Sequence, residues 1–248
     1  MRVTVEVWRQ AGPEAAGAFE TYTVDDVSAE RSLLELLDRL NADLVDAGIE
    51  PIAFDHDCRE GVCGSCGVLV NGIPHGPETN TATCQQHLRS FSDGDHLRLE
   101  PMHARAFPVI RDLVVDRSAL DRVIAAGGHV ATPVSGAPEA NSILVAKETA
   151  EQAMDYAACI GCGACVAACP NASAHLFVGA KVAQLALLPQ GQPERSRRVV
   201  AMTAAADVDF GSCSDVGACR DACPAGVPLD AIARLNHERL RSALRRGR

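Results

Sequence analysis

The sequence predicts an α+β protein of two domains, a mixed sheet with one helix followed by a mainly helical unit. Three observations predict it. Short runs that alternate apolar and polar residues lie in the first hundred residues, with one leucine-rich helical segment among them. The cysteines split into two sets, with none between about Pro101 and Tyr156. Downstream, apolar positions recur at helical spacing in alanine- and leucine-rich stretches.

The elements follow in order. Val3, Val5 and Val7 share one face of a first strand, and Glu20 to Val24 suits a second, joined around Gly12-Pro13. From Ser28 to Leu44, the positions Leu33, Leu34, Leu36, Leu37, Leu40 and Leu44 predict a helix. Ser28 is one candidate cap; Ser32, with Glu35 three residues on, is the other. Gly67 to Asn71-Gly72 reads as a short strand ending in a tight turn, and His96 to Leu99 as another. Strand, strand, helix, cysteine loop and strand match a β-grasp domain over residues 1–104. Residues 105–248 are read as helical at Leu113 to Ala126, Ala174 to Leu188, Val199 to Ala206 and Leu229 to Arg246. Gly127-Gly128 to Pro138 reads as a loop. Arg234 to Arg248 forms a basic amphipathic stretch, packed on its domain or laid against anionic headgroups.

A net charge of -9 argues against a nucleic-acid partner. Eleven cysteines, an odd number, cannot all pair internally. No apolar h-region follows Met1, so no secretory signal is expected, and clustered cysteines then favour metal over disulfides. No uncharged apolar run reaches the roughly 18 residues of a bilayer span.

Cys58-Arg-Glu-Gly-Val-Cys63-Gly-Ser-Cys66, with Cys84 further on, has the C-x4-C-x2-C…C spacing of four thiolates around a [2Fe–2S] cluster. Gly61, Gly64, Ser65 and Gly67 let the backbone wrap closely around a compact anion. Zinc is the competing reading, but zinc motifs pair cysteines in two separated C-x2-C units.

Cys159-Ile-Gly-Cys162-Gly-Ala-Cys165-Val-Ala-Ala-Cys169-Pro170 is C-x2-C-x2-C-x3-C-P, whose fourth cysteine crosses to the other cluster of a two-cluster unit. Cys213-Ser-Asp-Val216-Gly-Ala-Cys219-Arg-Asp-Ala-Cys223-Pro224 repeats the register with Val216 in place of the second cysteine. Valine cannot ligate iron. Cys159, Cys162, Cys165 and the crossing Cys223 are therefore assigned to [4Fe–4S]. Cys169, Cys213 and Cys219 are assigned to [3Fe–4S], with Val216 expected to fill the empty corner. All eleven cysteines are then used.

Three motifs in this order resemble the iron–sulfur subunit of succinate dehydrogenase and fumarate reductase, most closely a menaquinone-linked bacterial member. Phe54-Asp-His-Asp-Cys58 and Phe107-Pro-Val-Ile-Arg-Asp-Leu-Val-Val-Asp116 carry the resemblance further. It implies a flavoprotein partner with covalent FAD, a haem-bearing membrane-anchor subunit, quinone as acceptor and a place on the cytoplasmic face of the plasma membrane. No substrate-converting site is implied on this chain. One departure stands out. Paired tryptophans after the Cys-Pro, common in ubiquinone-reducing members, are replaced by Asn171-Ala-Ser173-Ala174-His175, and their frequent histidine after the next motif's first cysteine by Ser214. Pro170, Ser173, His175 and Ser214 are candidate quinone-pocket residues. The alternatives are fumarate reduction, a freestanding multi-cluster ferredoxin or redox sensor, and the small subunit of a molybdenum hydroxylase. The last carries a second binuclear site, which the later motifs do not match.

Overall fold

The computed structural model describes residues 1–130, 144–188 and 192–246. The first half is a five-stranded mixed sheet in the order β2-β1-β5-β3-β4. Its strands are β1 (Val3–Arg9), β2 (Ala18–Val24), β3 (Val68–Val70), β4 (Ile73–Pro74) and β5 (His96–Pro101). β1 pairs antiparallel with β2, Val5 opposite Tyr22, and parallel with β5, Val5 beside Leu97. Strict alternation puts Val3, Val5 and Val7 wholly inside, against Leu97 and Leu99. Helix α1 (Leu33–Asp46) covers that face with Leu33, Leu36, Leu37, Leu40 and Leu44. Full burial of each such leucine contributes about 1.5–3 kcal/mol. The helix starts at Ser32, not Ser28. Ser32 Oγ accepts the Glu35 N–H and the Glu35 carboxylate accepts the Ser32 N–H, a reciprocal capping box. Ser28 sits one turn earlier, where its Oγ accepts the Glu30 N–H.

The expected helix from Leu113 begins later. Val109–Arg111 (β6) and Val114–Val115 (β7) form a two-stranded hairpin, and α2 runs from Ser118 to Gly127. Asp112, at the hairpin's turn with φ of 44°, decides this. Its carboxylate accepts the Gln10 N–H at 2.8 Å and the Ala53 N–H at 2.9 Å and faces Arg9 Nε at 3.3 Å. Those bonds anchor the segment to the first sheet as a hairpin instead of a helix. Leu113 packs in the sheet core, whereas Phe107 and Val115 pack in the helical one.

The helical half comprises α2, α3 (Lys147–Ala157), α4 (Ala164–Ala167), α5 (His175–Leu187), α6 (Gln192–Asp209), α7 (Ala218–Asp221) and α8 (Asp230–Arg246). Helix α3 is not legible as an amphipathic pattern, since it buries only Ala153 and Tyr156. Residues 131–138 of the expected Gly-Pro-Ser loop, and the chain beyond 246, lie outside the described residues. Helix α5 is apolar all round and forms the centre, between α3, α6 and α8. Gly179 permits this packing, because a Cβ there would stand 2.6 Å from the Ala231 carbonyl. Among the described residues no helix is long and apolar enough to cross a membrane.

Candidate iron–sulfur sites

The first site is a loop that crosses from α1 back to β3. Arg59, Gly61 and Gly64 take positive φ (55°, 76° and 75°), which curls the chain around Cys58, Cys63 and Cys66. Backbone N–H groups turn inward: Glu60 donates to Cys58 Sγ at 3.3 Å and Ser65 to Cys63 Sγ at 3.5 Å. Burial pushes the Cys63 thiol up, but hydrogen bonds from Ser65 and the Cys58 region more than offset this and bring it down to about 7. Cys66 is buried, and burial together with the neighbouring Cys84 pushes its thiol up to about 12. A thiol held so high stays protonated without a counter-charge, which cationic iron bound by Cys58, Cys63, Cys66 and Cys84 would supply. Arg59 pins the loop to α1 through its ion pair with Asp38.

Cys84 is positioned by a residue that spacing did not single out. His75, in the turn after β4, is 1% exposed. Its Nδ1 accepts the Thr83 N–H at 3.2 Å and lies 2.9 Å from Thr83 Oγ1. Burial, then the Arg117 charge, lowers its pKa to about 4, so the ring is neutral.

The two later motifs repeat each other in structure. Gly163 and Gly217 both take left-handed conformations (φ 88° and 85°) and open the one-turn helices α4 and α7. Two residues earlier, Gly161 (φ 67°) corresponds to Asp215 (φ 56°). Cys169 N–H bonds Val166 O and Cys223 N–H bonds Arg220 O, the same contact in each copy. The short helices α4 and α7 pack together, which brings each fourth cysteine to the other copy's loop. Burial raises the Cys159, Cys162 and Cys165 thiols, Cys162 to about 12, and all three also feel Cys223. Burial raises Cys213 and Cys219 too, and both feel Cys169. The sulfurs thus gather as two sets, meeting where Cys165 feels Cys219.

Among the described residues no three His, Cys, Asp or Glu side chains converge tightly enough for a single metal ion. Four thiolates on one zinc would stand about 3.8 Å apart, from a Zn–S bond of about 2.3 Å. Sulfur-only sets, buried or half-buried and met by backbone N–H groups, fit an anionic iron–sulfur cluster instead.

Pro170, Ser173, His175 and Ser214 line one cleft with Cys169, Cys213 and Cys219. Ser173 Oγ lies 2.8 Å from His175 Nδ1, and Asn171 Nδ2 donates to Ser214 Oγ at 2.7 Å. Val216 lines the same cleft but is 60% exposed, so it borders the open corner without sealing it.

Comparison with known proteins agrees with this geometry. Residues 4–122 match the 2Fe-2S iron-sulfur cluster binding domain family, and residues 158–227 the 4Fe-4S dicluster domain family. The chain is 34% identical over 199 residues to the succinate dehydrogenase iron-sulfur subunit of Bacillus subtilis, covering 76% of this chain and 72% of that protein. It is 33% identical over 245 residues to a fumarate reductase iron-sulfur subunit of Mycobacterium tuberculosis, covering 94% and 91%. A chain of the Mycobacterium smegmatis Sdh1 complex in the apo form shares the fold, with a TM-score of 0.69 at 23% identity over 100% of this chain and 98% of that one.

Proposed function

Because the chain belongs to the family of succinate dehydrogenase and fumarate reductase iron–sulfur subunits, we propose that it wires a flavoprotein to a quinone-reducing membrane anchor through three clusters. Cys58, Cys63, Cys66 and Cys84 hold [2Fe–2S]; Cys159, Cys162, Cys165 and Cys223 hold [4Fe–4S]; Cys169, Cys213 and Cys219 hold [3Fe–4S]. Bound, the clusters supply one-electron carriers in series between covalent FAD in the flavoprotein and quinone at a haem-bearing anchor. The chain's own residues ligate, exclude water and donate backbone hydrogen bonds to sulfur, which raise reduction potentials. The observation that carries this reading is the gathering of the later thiols into a set of four and a set of three, with Val216 at the vacant ligand position.

We place the division between the halves at residues 104 and 105, with the β6–β7 hairpin as the strap across it. The favoured direction is succinate oxidation, the favoured acceptor is menaquinone, and the favoured place is the cytoplasmic face of the plasma membrane. Pro170, Ser173, His175 and Ser214 border the third site in a small cleft, which supports a quinone pocket that lies mostly in the anchor. Steady-state assays of the assembled complex with both quinone classes test this. Faster turnover with menaquinone analogues is expected, and preference for ubiquinone analogues contradicts it. Net fumarate reduction under matched driving force would favour the reverse direction.

A further inference from the structure

A glycine lies where the first two sites meet. A Cβ on Gly64 would stand 2.5 Å from Ile160 O, 3.0 Å from Cys162 N and 3.1 Å from Cys162 Cα. The two cysteine loops therefore meet backbone to backbone, with no side chain between them. Arg117, the residue that precedes α2, lies across this seam. Its Nη1 donates to Gly64 O and, at 3.3 Å, to Cys162 O; its Nη2 donates to Ser65 O at 3.4 Å. None of these partners is a carboxylate, so the bonds themselves add no counter-charge. That charge reaches both sides, acting on His75 behind the first site and on Cys162 in the second.

We propose that Arg117 is a positioning residue for electron passage between the binuclear and four-iron sites, clamping the Gly64–Ser65 and Cys162 loops together and holding a cation in the seam. The inference rests on the cluster assignments above. Two separable effects follow. The planar fork holds three carbonyls in one rigid geometry, which a lysine ammonium with freely rotating donors on a flexible stem does not reproduce, so the guanidinium fixes the separation of the loops. Its charge favours the reduced, more negative form of both neighbouring centres. For a unit charge acting through an effective dielectric constant of about 20, this is on the order of tenfold in each reduction equilibrium.

The test uses the assembled, cluster-loaded complex with Arg117→Gln, Arg117→Lys and Gly64→Ala, followed by EPR-monitored redox titration and power saturation. Arg117→Gln is expected to shift reduction at both sites about tenfold toward the oxidised form and to weaken their mutual relaxation. Arg117→Lys is expected to keep the equilibria within about threefold while weakening the relaxation, because charge persists and the fork is lost. Gly64→Ala should act like Lys, since it parts the loops and spares the charge. Unchanged equilibria and unchanged relaxation in Arg117→Gln would overturn the proposal. If that variant loses iron, Arg117→Lys decides, and a Lys variant with wild-type relaxation overturns it. A wild-type complex without binuclear and four-iron signals would instead defeat the cluster assignment beneath it.

Discussion

His75 Nδ1 accepts the backbone N–H of Thr83, the residue immediately before Cys84, at 3.2 Å. A backbone N–H can only donate, so Nδ1 carries no proton and the ring is held as its neutral Nε2–H form. The buried ring stays neutral until about pH 4, against about 6.5 in the unfolded chain. Between those values the unfolded state binds the extra proton. Stability is therefore full above pH 6.5, falls as pH drops toward 4, and loses about 3 kcal/mol over the window. His75→Gln keeps an acceptor for Thr83 and removes the titration. Denaturation at stepped pH should show the wild type losing more stability than this variant between pH 6.5 and 4; parallel curves would contradict the assignment.

The Asp112 carboxylate, 3% exposed, ties three segments together. Asp112→Ala leaves the Gln10 and Ala53 N–H groups without their partner and Arg9 with only the more exposed Glu20 as its anion. We expect a loss of about 3 kcal/mol in chemical denaturation. A change below about 0.5 kcal/mol would mean that water replaces the carboxylate freely.

The capping box sets the start of α1 at Ser32, and Ser28 lies outside the helix. Ser32→Ala should cost about 1 kcal/mol, and Ser28→Ala less than about 0.5 kcal/mol. Thermal denaturation of the two variants side by side checks the ranking.

Much of the fold was legible because period and chemistry agreed. Val3, Val5 and Val7 alternate, six leucines recur at helical spacing, and both demand burial on one face. The cysteine motifs were legible because ligand spacing is local. What escaped depends on contacts distant in sequence. Asp112 turned an expected helix start into a hairpin through partners at Gln10 and Ala53, 102 and 59 residues away along the chain. Arg117 and His75 carry no spacing signal, since each acts on a loop that the fold alone brings near. Helix α3 escaped because its exposed face is polar and its buried face is little more than Ala153 and Tyr156.

Val216 stands where the repeat demands a ligand, and its loop matches the first copy's in backbone conformation. Val216→Cys should therefore supply the missing thiolate and convert the third site to [4Fe–4S]. Loss of a three-iron signal from the oxidised complex, with a gain in iron per chain, is the expected result. A three-iron signal that persists at full strength in the variant would show that more than one thiolate is wanting.

Low-temperature EPR of the purified complex, oxidised and then reduced, with metal and sulfide analysis on the same sample, reaches the whole arrangement at once. The account predicts a three-iron signal in the oxidised state, a binuclear signal on reduction, and iron with acid-labile sulfide as the inorganic content. Zinc in place of iron, or a single kind of centre in both states, would contradict it.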